Sequence, residues 1–372
     1  MNPGLVVKLR PTGPWRVGPD SGARNRVDAV YHSDSLYGAL CSAMARLGLL
    51  EDWLDATARG EEGPAVAFSS CFPFVDDIRF VAPPRSIWPP TSPALLSARV
   101  RWKSARFIPL TVVEGLLAGR PPDENQWNVD APSECLVPAS VALSGVPSGP
   151  GGPFRTNVRW SAAIDRLSGA SERYSTACLE YRAGAGLWSV ASFDGDAARE
   201  KWAEPVKAAF RWLADAGFGG EKSRGWGRSD APEFIEGSLP GIILNQPSAP
   251  ENGDASGAEQ VSESPAAAEP PLEAPAASNG NHERPYWLLS LFTPAAADTV
   301  DWSRGNYTLV ARAGRVQGSG ELKRNLQMVA EGSVLYAREA PRGAAPDVAP
   351  EGFAYPAFRA GFAVSIPLPE AV

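Results

Sequence analysis

Between Gly217 and Arg228 the sequence Gly-Phe-Gly-Gly-Glu-Lys-Ser-Arg-Gly-Trp-Gly-Arg sets five glycines among three cations. Glycine admits positive φ and lets another molecule approach the main chain closely. Exposed amides interleaved with cations suit a phosphate backbone. The binding candidates are therefore Gly217, Gly219, Gly220, Lys222, Ser223, Arg224, Gly225, Trp226, Gly227 and Arg228; a plain surface turn is the competing reading. Nucleotide-loop chemistry is excluded by order. A Walker loop needs glycine directly before its lysine and a helix directly after, whereas Glu221 precedes Lys222 and the helical pattern comes first. The dinucleotide fingerprint fails because Lys222 stands where its third glycine belongs.

Other chemistries lack material. The chain has two histidines, His32 and His282, and its four cysteines, Cys41, Cys71, Cys135 and Cys178, form no CxxC pair. A Ser or Cys nucleophile would lack its usual base, and the acidic pairs Asp76-Asp77 and Asp194/Asp196 lie in loop-like sequence. No metal, cofactor or catalytic set is expected. The formal charge of −7 hides an uneven distribution: residues 246 to 283 hold seven acids and no Lys or Arg, leaving 35 basic against 35 acidic groups elsewhere. Residues 78 to 113 carry six basic groups and no acid. Local basic patches of this kind favour a polyanion partner. No apolar run is long enough to span a membrane, so a cytoplasmic protein is expected.

The elements that would position the loop can be read from periodicity. Leu5 to Arg10 alternates as a strand with Lys8 and Arg10 on the outer face. A loop with Arg24 and Arg26 follows, then a helix opening at His32-Ser33-Asp34, its apolar stripe Leu36, Leu40, Ala43, Met44 and Leu47, its stop Gly48. Arg99 to Phe107 alternates cations with apolar groups and reads as a strand or a loop against RNA. The stretch from 145 to 185 suggests a protruding Arg-rich hairpin turning at Ser168-Gly169. Trp202, Val206, Phe210 and Leu213 mark a second amphipathic helix, with Pro205 placed in its first turn, delivering the glycine loop. Residues 246 to 284, rich in Ala and Pro and without an aromatic residue, read as a disordered insertion. Beyond it come strand-like segments and a second glycine loop around Gly314 and Arg315. Trp15, Trp88, Trp102, Trp160 and Trp226 stand near cations, and one or two of them are expected to stack on RNA bases.

Four segments in order, His32 to Leu40, Ala163 to Arg166, Gly217 to Arg228 and Glu331 to Val334, resemble the fourth-subunit family of the Csm (type III-A) CRISPR effector, within the repeat-associated mysterious protein (RAMP) superfamily. The resemblance implies an α+β fold of two ferredoxin-like (RRM-like) domains: 1–245 with a thumb hairpin inserted at about 145–185, and a degenerate 285–372, separated by the 246–284 insertion. It implies a non-catalytic role, gripping the 5′ handle of the guide crRNA and docking the large polymerase-type subunit and the backbone RAMP subunits. Gly217 to Arg228 would lie along the handle. Lys8, Arg10, Arg24, Arg26, His32, Ser33, Gly314 and Arg315 would support it, and Arg155, Arg159, Ile164 and Arg166 would form the thumb. The alternatives are a metal-independent RAMP endoribonuclease using His32 as general base, or the equivalent subunit of another type III complex.

Overall fold

The computed structural model describes residues 2–18, 23–60, 63–91, 95–139, 151–244, 283–316 and 319–369; residues 246–282 of the acidic segment lie outside it. The first part contains β1 (Pro3–Leu9), α1 (Ser33–Arg46), α2 (Leu50–Ala56), β2 (Val66–Phe68), β3 (Phe72–Val75), β4 (Ile78–Val81), α3 (Leu96–Trp102), β5 (Ile108–Pro109) and α4 (Leu110–Leu117). It continues through β6 (Trp127–Asp130), β7 (Cys135–Pro138), β8 (Phe154–Ile164), β9 (Ser171–Tyr181), β10 (Ala185–Phe193), α5 (Gly195–Ala216) and β11 (Glu233–Ser238). The second part is built of β12 (Arg284–Leu288), β13 (Val300–Asn306), β14 (Leu309–Arg312), β15 (Leu326–Val329), β16 (Val334–Ala337) and β17 (Ser365–Pro367).

The main sheet runs β11-β1-β10-β3-β4-β5, with β2 also on β10. Its pairs are antiparallel. α1 and α5 pack on each other, and their apolar stripes, Leu36, Leu40, Ala43 and Met44 against Trp202, Val206, Phe210 and Leu213, are buried. Gly48, at φ +74°, follows the end of α1 as expected, with Leu49 N–H bonded back to Met44 O. α5 starts earlier than the periodicity suggested, so Pro205 lies in its interior. Such a proline costs about 3 kcal/mol in an isolated helix; the buried stripe offsets it.

Two readings of local pattern are corrected. The alternating segment after Arg99 is the end of α3, not a strand, and it delivers Trp102, 1 % exposed, onto Trp88 with ring centroids 5.6 Å apart. Trp15, Trp88 and Trp102 are all core residues and leave the set of base-stacking candidates. Nor does β1 present an open cationic face. Lys8 lies 4.5 Å from the centre of the Phe74 ring and 3.9 Å from Glu233, and Arg10 donates to Glu233 at 2.8 Å.

The second part carries a four-stranded sheet, β13-β16-β12-β17, and a β14-β15 pair, with no α-helix among its described residues. One apolar core runs through both parts, including Trp287, Leu289, Val334 and Phe362. Backbone bonds from Ser70 N–H to Leu289 O and from Arg85 N–H to Gly332 O, each 2.9 Å, stitch them together. Among the described residues, no helix is long and apolar enough to cross a membrane.

Candidate nucleic-acid interface

α5 ends at Ala216, and the glycine loop leaves it through Gly217 at φ +77°, makes a single 3-10 turn over Lys222–Arg224, and returns to Ser229. The segment Pro11–Arg16 anchors it. Gly227 N–H donates to Pro14 O at 3.0 Å, Gly220 N–H to Arg16 O at 2.8 Å, and the Trp15 indole N–H to Arg228 O at 3.1 Å. Phe218 plugs the loop from below, edge-on to Trp15 at 4.6 Å and to Tyr31 at 5.1 Å.

This anchoring revises the role of the glycines. A Cβ at Gly227 would overlap Phe218 O, and one at Gly217 would come within 2.6 Å of Trp226 O; Gly219 and Gly220 are crowded by Arg16. Four of the five glycines thus serve close packing of the chain on itself. Only Gly225, at φ +79°, has no atom within 4 Å of that position. Lys222, Ser223, Arg224 and Arg228 are exposed, and Trp226 is half-buried.

The hairpin β8–β9 rises beside this loop in unbroken antiparallel register from Phe154↔Tyr181 to Ile164↔Ser171. Its base is held to the N-terminal segment by paired Trp15–Leu179 backbone bonds of 2.9 and 2.7 Å. Arg16, buried, donates to the carbonyls of Ala23, Arg24, Arg26 and Ala177 and so fixes the course of the Arg24–Arg26 segment against β9. Two guanidinium groups approach Tyr174 of β9, Arg24 at 5.3 Å and Arg224 at 5.4 Å from its ring centre. Arg224 also bonds the Tyr174 hydroxyl and Ser161 Oγ, and pairs with Glu221 at 3.2 Å. Loop, Arg24 segment and hairpin therefore form one continuous surface. On the hairpin Arg155 and Arg159 converge on Glu180, while Ile164, Arg166 and Leu167 at its tip are exposed. Trp160, 65 % exposed, carries Arg173 5.2 Å from its ring centre.

His32 and Ser33 do not belong to this surface. Both are buried. Ser33 Oγ accepts from Leu291 N–H at 3.0 Å, and His32 sits between Glu331 at 2.7 Å and Asp28 at 3.3 Å. Burial alone would lower the imidazole pKa, but the Glu331 charge and the Asp28 and Glu331 hydrogen bonds overcome it and raise the value to about 9. A buried imidazolium has no free basic nitrogen at neutral pH, so His32 is unsuited to the general-base role. Asp34, next in the helix, meets Arg312 at 3.0 Å and Arg359. Burial opposes its ionisation, and the Arg312 charge followed by that of Arg359 brings its pKa down to about 2. Among the described residues no cluster of three His, Cys, Asp or Glu could hold a metal. The sequence did not mark Tyr174, Arg173 or Arg16; an aromatic residue opposite two arginines that lie 150 and 50 positions away leaves no local pattern.

The second glycine loop, with Gly314 at φ +138° and Arg315 bonded to Gly320 O at 2.6 Å, faces the first across the start of α1. The two are separated by a cleft of about 470 Å³.

The fold is similar to that of chains in solved Csm complexes. The chain superposes on a chain of the crystal structure titled Csm3-Csm4 subcomplex in the type III-A CRISPR-Cas interference complex, with TM-score 0.58 and 14% identity over 98% of this chain and 99% of that one. A chain of the Csm1-Csm4 cassette in complex with cA4 matches with TM-score 0.54 and 16% identity over 99% and 98%, and one of the cassette with pppApA with TM-score 0.52 and 17% identity over the same shares. Residues 281–368 match the family model of the CRISPR Csm4 C-terminal domain. The resemblance read from the sequence is thereby borne out, by family over the C-terminal part and by fold throughout. No curated protein matches the chain.

Proposed function

We propose that this chain is the crRNA-binding subunit of a type III-A (Csm) interference complex, a non-catalytic cytoplasmic protein that caps the assembly by gripping the 5′ handle. The observation that carries the reading is the Csm4 C-terminal match at residues 281–368, because the fold alone accommodates several roles. The first part supports a ferredoxin-like unit: β1-α1-β3, then β10-α5-β11, in strand order β11-β1-β10-β3 with two helices packed together. The second part is a degenerate relative that retains strands without helices among its described residues. Hairpin β8–β9 is the thumb.

The handle runs along Lys222, Arg224, Arg228 and Arg24, with Gly225 allowing the closest approach of a phosphate. Gly314 and Arg315 support it from the second loop, and Arg26 flanks Arg24. Lys8 and Arg10, tied to Glu233, set the sheet rather than the RNA. Because known chains of this fold crystallise with Csm1 and with Csm3, the partners proposed here are the large polymerase-type subunit and a backbone RAMP subunit. The endoribonuclease alternative is disfavoured by the burial of His32, the base it was to use.

Co-expression with the subunits encoded beside it, purification through a tag on this chain, and sequencing of the retained RNA test the reading. A uniform 5′ repeat-derived end on the bound RNA, with the large subunit co-eluting, is expected. RNA-free elution of the chain by itself would overturn it.

A further inference from the structure

The cleft between the two glycine loops has an unusual electrostatic lining. Lys222 comes from the first loop, Arg315 and Lys323 from the second, and Arg359 from the segment before β17. Asp34 is the sole carboxylate among its lining residues, and it is already paired with Arg312 and Arg359. Lys222 and Lys323 have no ion-pair partner among the described residues. Burial, and then the neighbouring Arg359 charge, lower the Lys323 pKa against the opposing pull of Asp34. The Arg359 Nε is buried with no hydrogen-bond partner.

Trp212 of α5 and Phe358 supply apolar lining, and the flank of α1 at the cleft is cut back to Gly38, Ala39 and Ser42. A Cβ built on Gly38 meets nothing within 4 Å. At about 470 Å³ the space lies within the ~300–1,000 Å³ typical of small-ligand sites. Its mouth is continuous with the glycine loop, because Phe218, Gly219 and Lys222 belong to both.

We infer that this cleft receives a single nucleotide turned out of the bound RNA, its phosphate among Lys222, Arg315 and Lys323 and its base against Phe358 and Trp212. The inference rests on the RNA-binding reading and adds to it a site shared by both parts of the chain. Cations supply the phosphate contact, and an aromatic face accepts any base. Asp34 and Arg359, which line the cleft, are paired across the two parts, so occupancy also braces the contact between α1 and the second part.

The test uses the full-length chain and fluorescein-labelled synthetic RNA of the sequence recovered from the complex, intact or with one abasic site placed at each position in turn. Binding is followed by fluorescence anisotropy. In the wild type one abasic position is expected to weaken binding roughly 5- to 150-fold, the loss corresponding to one base–aromatic stack. In Gly38→Phe, which plugs the cleft from an exposed helical position, and in Phe358→Ala, intact RNA should bind weakly and that abasic site should have no further effect. Lys323→Gln should lower the salt slope by ~0.7. Unchanged thermal midpoints exclude misfolding of Gly38→Phe and Lys323→Gln. If the wild type binds RNA but no position is sensitive and all three variants bind as it does, the nucleotide pocket is refuted while RNA binding stands. If the wild type binds no RNA, both fail.

Discussion

His32 makes the contact between the two parts of the chain dependent on pH. Its imidazole has a pKa of about 9 in the fold, against 6.5 for the free side chain. Its stabilising contribution is therefore fully present below pH 6.5 and is lost as pH rises through 9. At 1.36 kcal/mol per pKa unit the whole effect is ~3 kcal/mol, of which ~2 kcal/mol disappears between pH 6.5 and 8.5. The measurement is urea unfolding at pH 6.5, 7.5 and 8.5, followed by tryptophan fluorescence, for the wild type and for Glu331→Gln. Glu331 is the charge that does most to raise the imidazole pKa, so the variant should have a much flatter dependence. The difference between the two proteins removes the contribution of thiols, which begin to ionise in the unfolded chain near the top of this window. Identical slopes in both proteins would refute the role assigned to the His32–Glu331 pair.

Three further outcomes are expected. Asp34→Asn leaves Arg312 and Arg359 buried without their carboxylate and should cost about 3–5 kcal/mol in urea unfolding. In the wild type the Asp34 contribution is present above pH 3.8 and lost as pH falls through 2, so a variant as stable as the wild type at neutral pH would remove the pair from the account of the fold. Gly227→Ala should lower the thermal midpoint well beyond Gly225→Ala: both incur backbone strain of about 1–3 kcal/mol, but only the former also strikes Phe218 O. Equal midpoints would restore the view that these glycines serve a ligand alone. Trp160→Ala should weaken RNA binding with no loss of stability, because the ring is 65 % exposed; Trp160→Phe should restore most of it, and full affinity in the alanine variant would place the hairpin away from bases.

The sequence made the glycine loop and the helix start at His32–Asp34 legible because both are local: residue types and spacing within a dozen positions define them. Their purpose was less legible. In the second part His32 and Asp34 meet Glu331, Arg312 and Arg359, between 278 and 325 residues away, and no local pattern reveals that two polar side chains at a helix start will be buried against a second part. The glycines looked like room for a ligand, yet Gly219 and Gly220 make room for Arg16, and Gly217 and Gly227 for the loop's own backbone at Trp226 and Phe218. The segment from Arg99 misled because a seven-residue helix with alternating Arg and apolar residues fits a period of two almost as well. The hairpin was visible from its turn and arginines; the contacts of Tyr174 with Arg24 and Arg224 were not, since they depend on how Arg16 positions an entirely different segment.

RNA gripping by the glycine loop is tested most directly by the salt dependence of handle RNA binding in the wild type and in the triple variant Lys222→Gln, Arg224→Gln, Arg228→Gln. Each phosphate contact on a single strand contributes ~0.7 to the slope of log K against log salt. Weaker binding with a slope shallower by ~2 is predicted; an unchanged affinity and slope at every salt concentration would contradict it.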